Sequence, residues 1–104
     1  MEKTIIIDGK EVALKVTAAM PIRYKKAFGT EYLADVSKLA ESSDLNNIDI
    51  SIYYNLIWVM AKTADKTIPD LETWLDSFDS FPLDKILPEI TELLQNNNKT
   101  SSKN

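Results

Sequence analysis

The sequence of 104 residues contains no cysteine and no histidine, and it has only two glycines. Without cysteine there is no disulfide, no thiolate nucleophile and no cysteine-ligated zinc. Without histidine there is no imidazole ligand and no side chain whose unperturbed pKa lies near neutrality. These absences exclude most hydrolytic triads, zinc enzymes and haem sites, and no glycine-rich phosphate loop is present. We therefore expect a protein that is not an enzyme and that has no catalytic residue, metal or cofactor.

Long apolar runs and a secretory leader are also missing. The longest apolar-rich stretch, Ile50 to Ala61, is interrupted by Ser51 and Asn55 and is too short to cross a bilayer. The first residues, Met1 to Thr4, lack the charged region, apolar stretch and cleavage site of a signal peptide. We therefore expect a cytoplasmic protein without a membrane partner.

The charge is acidic overall and unevenly distributed. The net charge of −4 and the pI of about 4.7 argue against nucleic acid as a partner. Residues 1–29 carry a net charge of +3 and the remaining residues carry −7. Such asymmetry can orient the molecule against a partner, although a solvated surface is the plainer interpretation. A solvated face is also what we expect for the densest group of carboxylates, Asp70, Glu72, Asp76, Asp79 and Asp84, which lacks a calcium-loop pattern.

The chain is long enough for one domain, which we place at residues 1–95, with a flexible polar tail at 96–104 that lacks apolar residues. Residues 3–16 predict a β-hairpin, because β-branched and alternating apolar residues flank the two-residue turn Asp8-Gly9. A turn of this length places four apolar side chains on one face of the hairpin, those of Ile5, Ile7, Val12 and Leu14.

Two helical segments and a polar loop are predicted after the hairpin. Pro21 suits the first turn of a helix and Gly29 suits its end. Thr30 is then expected to cap a second helix. The apolar stripe of that second helix is Leu33, Val36, Leu39 and Ala40. A polar loop is predicted at residues 41–47.

Three further helical segments complete the predicted fold. The segment 49–64 is apolar nearly all round, so we expect it to be the buried central helix. A short helix opens at Asp70, and the last helix carries apolar residues at helical spacing from Leu83 to Leu94, with a kink or restart expected at Pro88. The fold class is therefore α+β, mainly α, with an N-terminal β-hairpin followed by about five helical segments packed around the central helix.

Aromatic side chains are the candidate protein-binding residues. Trp58 and Trp74 suit either the core or an interface, because each combines a large apolar area with an N–H group that needs a partner. Tyr24 and Phe28 lie one helical turn apart and are expected to pack inward. The candidate binding residues are Tyr24, Phe28, Tyr54, Trp58 and Trp74.

Several blocks of the sequence resemble, in order and spacing, a family of small tail assembly chaperones from siphophages and prophages. The segment Lys15 to Gly29 resembles the opening signature of that family, although the basic residue that commonly follows the glycine is missing here. The later blocks are Trp58 to Asp65, Asp70 to Phe78, Leu87 to Ile90 and the pair Leu93-Leu94. The likeness covers about residues 1–95.

The resemblance implies a role in assembly. Such chaperones bind the long, hydrophobic tape-measure protein, recruit tail-tube subunits, and are absent from the finished virion. Many are made in a short form and in a form extended by a programmed frameshift, so that residues 96–104 would be the end of the short form. Self-association is left open.

The composition also fits a small acidic regulatory or inhibitor protein, such as an antitoxin-like or anti-host factor, that binds a single protein partner. The two hypotheses differ in their genetic context. The chaperone requires a tape-measure gene downstream and a slippery heptamer near the codons for residues 90–99. The inhibitor requires an adjacent toxin gene or early phage gene.

Overall fold

A computed structural model describes residues 2–41 and 49–99 of the chain. Within them an antiparallel hairpin precedes five helices, which confirms the predicted fold class. The predicted loop at 41–47 lies outside the described residues except for Glu41, and so does the part of the predicted tail beyond residue 99. The elements are β1 (Glu2–Ile7), β2 (Lys10–Lys15), α1 (Met20–Phe28), α2 (Tyr32–Glu41), α3 (Ile50–Ala64), α4 (Leu71–Asp76) and α5 (Leu83–Lys99).

The hairpin has the predicted turn and register. Asp8 and Gly9 have φ angles of 53° and 74°, the positive values of a type I′ turn. Ile5 consequently lies opposite Val12. The predicted apolar face is buried against the helices and consists of Ile5, Ile7, Val12 and Leu14.

The ends of α1 follow from proline and glycine. Pro21 lies in the first turn, where a backbone N–H would have no acceptor within the helix, so its absence costs no hydrogen bond. Gly29 ends the helix with a φ angle of 79°, and its N–H donates to the carbonyl of Lys25 at 2.8 Å. Both helix signals in the sequence are therefore confirmed.

The buried face of α2 differs from the predicted apolar stripe. Leu33, which belongs to that stripe, is 65% exposed, whereas Tyr32 and Asp35 are buried. Tyr32 and Asp35 lie three residues apart and share one helix face with Val36 and Leu39. A carboxylate on the buried face is invisible to a count of apolar residues. The prediction that Thr30 caps this helix differs from the structure: the helix begins at Tyr32 after Glu31, and the hydroxyl of Thr30 donates to the carboxylate of Asp35 at 2.9 Å.

The central position of α3 is confirmed. Asp49 caps this helix by accepting a hydrogen bond from the N–H of Ser51 at 3.0 Å. The helix packs against β2 on one side and α1 on another, and it also contacts α4. Its buried residues are Ile52, Leu56, Ile57, Val59, Met60 and Ala61.

The last two helices differ in length. The short α4 begins after Asp70, whose carboxylate accepts from the N–H of Thr73 at 3.3 Å. The long α5 continues through Pro88 without a restart, although the proline lacks the N–H that would reach the preceding turn. It ends at Lys99, four residues inside the segment predicted as a tail. The inner face of α5, including Ile86 and Ile90, completes the core beside β1.

Candidate protein-binding groove

The five candidate aromatic residues occupy two kinds of environment. The side chains of Tyr24 and Trp74 are 0% and 6% exposed, so they are core residues that a partner does not reach in this fold. Phe28, Tyr54 and Trp58 are half-buried and keep part of each ring at the surface. The sequence cannot separate these cases, because large aromatic residues serve the core and interfaces equally well.

Tyr24 belongs to a buried polar network between α1, α2 and α3. Its hydroxyl donates to Asp35 Oδ2 at 2.7 Å, and the hydroxyl of Thr30 donates to the same oxygen. Lys38 Nζ lies 3.8 Å from the other carboxylate oxygen. Burial raises the pKa of Tyr24 far above its ordinary value, and the hydrogen bond to Asp35 adds to this effect. The network holds α2 in place, since a buried carboxylate needs donors to offset its desolvation.

The aromatic rings form two separate chains of contacts. In the first, which we call the Trp58 cluster, Tyr24 contacts both Tyr32 and Phe28, and Phe28 meets Trp58 edge-to-face at 5.6 Å. The second, which we call the Trp74 cluster, consists of Tyr54, Trp74, Phe78 and Phe81. The Trp58 cluster begins at a buried tyrosine and ends at a half-exposed indole.

The indole of Trp58 is fixed from both ends. Its Nε1–H donates to the carbonyl oxygen of Pro69 at 2.8 Å, and its ring packs against Phe28. These contacts satisfy the polar N–H and restrict the rotamer, while part of the ring remains uncovered. A rigid apolar surface of this kind loses little conformational entropy when a partner covers it.

Two adjoining cavities flank Trp58 and share Ala27 and Trp58 in their linings; we call them together the Trp58 groove. The first, about 280 Å³, lies between α1 and α3 and is further lined by Arg23, Lys26, Val59, Lys62 and Thr63. The second, about 480 Å³, lies between α1, α3 and α4 and is further lined by Phe28, Asp70, Leu71, Glu72 and Leu75. The floor of the groove is therefore apolar, and its charged residues lie in separate cavities.

Three charged residues of the groove are exposed and have no ion-pair partner among the described residues. Arg23 and Lys26 make no ion pair with any described residue, and the same is true of Glu72. Lys62 donates its ammonium to the carbonyls of Lys66 and Ile68, which fixes the position of its charge. One cavity is thus lined by cations and the other by carboxylates.

A third cavity, of about 420 Å³, lies between β1 and α5. It is lined by Ile6, which is 63% exposed, together with Pro82 and Ile86 and with charged residues of α5. Lys3 closes one side of this region through ion pairs with Glu89 and Glu92. Unlike the Trp58 groove, this cavity has no aromatic residue in its lining.

The described residues do not assemble a metal site, since no group of three or more His, Cys, Asp or Glu side chains is placed to hold an ion. Three exposed carboxylates, Asp49, Asp65 and Asp70, have a pKa below the ordinary value. Each carboxylate accepts two hydrogen bonds from a nearby Ser or Thr. The bond from the hydroxyl has the larger effect and the bond from the backbone N–H the smaller, and both favour the charged form of the carboxylate. These groups act as turn and helix caps.

Comparisons with models of protein families, with curated proteins and with solved structures found no match to this chain. None of the helices in the described ranges is long and apolar enough to cross a membrane. The arrangement of side chains around Trp58 is therefore the principal guide to function.

Proposed function

We propose that this protein is a non-enzymatic tail assembly chaperone that holds apolar helical segments of the tape-measure protein in the Trp58 groove. The observation that carries the proposal is the groove itself, an apolar channel beside a rigidly held and partly uncovered indole. The resemblance of the sequence blocks supports the identity of the client. Three of those blocks, Lys15 to Gly29, Trp58 to Asp65 and Asp70 to Phe78, contribute residues to the groove.

The proposed mechanism is binding of a helix in a groove. An amphipathic client helix lays its apolar side chains against Trp58 and Phe28, which removes apolar surface from water at about 25 cal/mol per Å². Exposed charges around the channel keep the complex soluble while the client is still unassembled. Binding the client and keeping it soluble require no covalent bond to form or break. Both would occur in the host cytoplasm before the tail is complete.

Recruitment of tail-tube subunits would require a second surface that stays free when the groove is occupied. Leu33 on α2 is a candidate because it is 65% exposed and does not line the groove. The same surface could serve self-association. Leu33→Asp would then leave client binding intact and weaken capture of tail-tube protein.

Co-expression with a tape-measure protein tests the proposal. Ala27 is exposed and lines both cavities, so Ala27→Glu places a charge in the middle of the groove without removing a core contact. The matched control is Ser37→Glu, which adds the same side chain at an exposed position on α2. The measurements are the soluble fraction of the tape-measure protein, its co-purification, and the thermal unfolding of each variant alone.

We expect the native chain and Ser37→Glu to keep the tape-measure protein soluble and to co-purify with it. Ala27→Glu should fold normally and lose most of both effects, because the longer side chain fills the middle of the groove and puts a charge where the apolar side chains of the client would lie. The proposal is wrong if the native chain leaves the solubility of the client unchanged. The groove is the wrong surface if Ala27→Glu behaves like Ser37→Glu.

A further inference from the structure

We propose that the Trp58 groove selects a client helix with acidic residues at one end and basic residues at the other, and that it binds this helix in one direction. The inference rests on the proposed function and adds the chemistry and orientation of the bound segment. It is argued from charge complementarity between the two cavities and such a helix.

The cavity between α1 and α3 attracts acidic side chains. Arg23 and Lys26 have no described ion-pair partner, so their charges are available to a ligand. Lys62 is held in place by the two carbonyl oxygens to which it donates. Three cations around one cavity favour carboxylates, and the two free ones can form charge-assisted hydrogen bonds to them.

The cavity beside α4 attracts basic side chains. Glu72 is exposed and makes no ion pair with any described residue. Asp70 adds a second negative charge, and hydrogen bonds from Thr73 hold its pKa below the ordinary value. Lysine or arginine side chains of a client would find two carboxylates at this side of the groove.

The apolar floor fits two anchors, one on each side of Trp58. The cavities of about 280 and 480 Å³ meet at Ala27 and Trp58, so an apolar side chain in each would straddle the indole. Residues four apart on a helix have Cβ atoms about 5–6 Å apart and point the same way, which suits this arrangement. A client helix of about the length of α1, roughly 13 Å, would then bring its charged ends to the two cavities.

Three synthetic helical peptides test the charge preference. All share one stripe of leucines, and they differ at their ends: two glutamates and two lysines, glutamates at both ends, or lysines at both ends. We expect the mixed peptide to bind about three- to tenfold more tightly than either of the others, since exposed charge pairs give effects of this order. If binding depended only on attraction to the net charge of −4, the peptide with lysine at both ends would bind most tightly, and this result would contradict the inference.

Charge reversals in the groove should change the preferred peptide. The double variant Arg23→Glu, Lys26→Glu should prefer lysine at both ends. Glu72→Lys leaves Asp70 beside an added ammonium, so it should lose the preference for the mixed peptide over the peptide with glutamate at both ends. The matched control is Lys85→Glu, an exposed change on α5 outside the Trp58 groove, which should keep the preference for the mixed peptide. Equal binding of all three peptides to the native chain, or an unchanged preference in the groove variants, would overturn the inference.

Orientation can be read by disulfide capture, because the natural chain has no cysteine. Thr63→Cys places a thiol in the cavity lined by Arg23 and Lys26. The peptide cysteine is supplied as a mixed disulfide with an aromatic thiol, so that attack by the thiolate of Thr63→Cys forms the new disulfide and releases the aromatic thiolate. A mixed peptide activated at its glutamate end should react faster than one activated at its lysine end, and equal rates would contradict a single direction. The proposed function is judged separately by co-expression, so a chaperone that binds helices in either direction would fail only this test.

Discussion

The Trp58 cluster and the Trp74 cluster each join four aromatic rings, with neighbouring centroids 5.2–5.9 Å and 5.4–5.8 Å apart respectively, and the groove opens beside the first. Each cluster has one tryptophan. Trp74 is 6% exposed and Trp58 is half-buried. Since ring content and spacing are so similar, the different exposure of the two tryptophans comes from what covers each of them.

The hairpin turn covers the Phe78 side of the Trp74 cluster. Asp8 accepts a hydrogen bond from the N–H of Asp79 at 2.9 Å, and Lys10 donates to the carbonyl of Ser77. The ammonium of Lys10 also lies 4.9 Å from the centroid of the Phe78 ring. These contacts join residues about 70 positions apart in the chain and fasten the segment after α4 to the sheet.

Within residues 2–41 and 49–99, no corresponding segment fully covers the last ring of the Trp58 cluster, the half-buried Trp58. The residue on α1 that faces it across both cavities is Ala27, the smallest side chain other than glycine. The indole N–H is already satisfied by Pro69, so the exposed part of the ring is apolar. A fixed aromatic ring thus keeps an apolar surface exposed where its neighbours are small and its polar atom is already paired.

The largest expected effect is on stability at Trp74. Trp74→Ala should lower the free energy of unfolding by about 3–5 kcal/mol, because it empties a buried site beside the rings of Phe78 and Phe81. Trp58→Ala should cost about 1–3 kcal/mol, since part of that ring is already in water. Urea unfolding of both variants measures the difference. Equal losses would mean that the two clusters do not differ in the way described.

The second prediction compares two buried tyrosines within the Trp58 cluster. Tyr24→Phe removes a donor to the buried carboxylate of Asp35 and should cost about 1.5–3 kcal/mol. Tyr32→Phe removes a buried hydroxyl that has no hydrogen-bond partner among the described residues, so it should be neutral or stabilising by up to about 1 kcal/mol. Chemical denaturation checks both values. A loss in Tyr32→Phe equal to that in Tyr24→Phe would show that ring packing, not the Asp35 network, is responsible.

The third prediction concerns alkaline pH. Burial raises the pKa of Tyr24 above its ordinary value of about 10, so the unfolded chain loses this proton before the folded chain does. Its contribution to stability is therefore complete below about pH 10 and falls as the pH rises further. Burial shifts Tyr32 and Tyr53 in the same direction, and hydrogen bonds to Glu89 and Glu92 shift Lys3 likewise.

Urea midpoints measured from about pH 8 to 11.5 test this dependence. Stability should decline above about pH 10, and the decline should be shallower in Tyr24→Phe because one shifted group has been removed. A decline of the same steepness in the variant would exclude Tyr24 as a cause.

The elements of the fold were predictable because their signals are local. Asp8-Gly9 gives the turn, the alternation around it gives the buried face, and Gly29 ends α1 through a positive φ angle. The apolar circumference of 49–64 likewise predicts a central helix. Each signal depends on a few neighbouring residues and on backbone geometry that those residue types prefer.

The site was only partly predictable, because its properties depend on contacts between distant residues. The sequence marks the aromatic candidates as large apolar groups, but only the fold shows that Trp58 is partly exposed and Trp74 is enclosed. Asp35 was missed because a buried carboxylate is stabilised by Tyr24, eleven residues earlier. The cations and carboxylates of the groove lie on opposite sides of Trp58 because α1 and α4 both pack beside α3. This packing cannot be predicted from residue spacing in the sequence.

The smallest expected effect tests the cover over the Trp74 cluster. Lys10→Met keeps the apolar stem but removes the ammonium from the Phe78 ring and from the Ser77 carbonyl, and should cost about 0.5–1 kcal/mol. The control is Lys66→Met, an exposed change for which the described residues show no side-chain contact. The measurement is the urea midpoint, followed by hydrogen exchange at the N–H of Asp79. Faster exchange there in Lys10→Met, with no change in Lys66→Met, is expected because the turn and this segment share the contact. If exchange at Asp79 is unchanged, the hydrogen bond from Asp79 to Asp8 holds this segment by itself. The contacts of Lys10 with Ser77 and Phe78 would then not contribute to covering the Trp74 cluster.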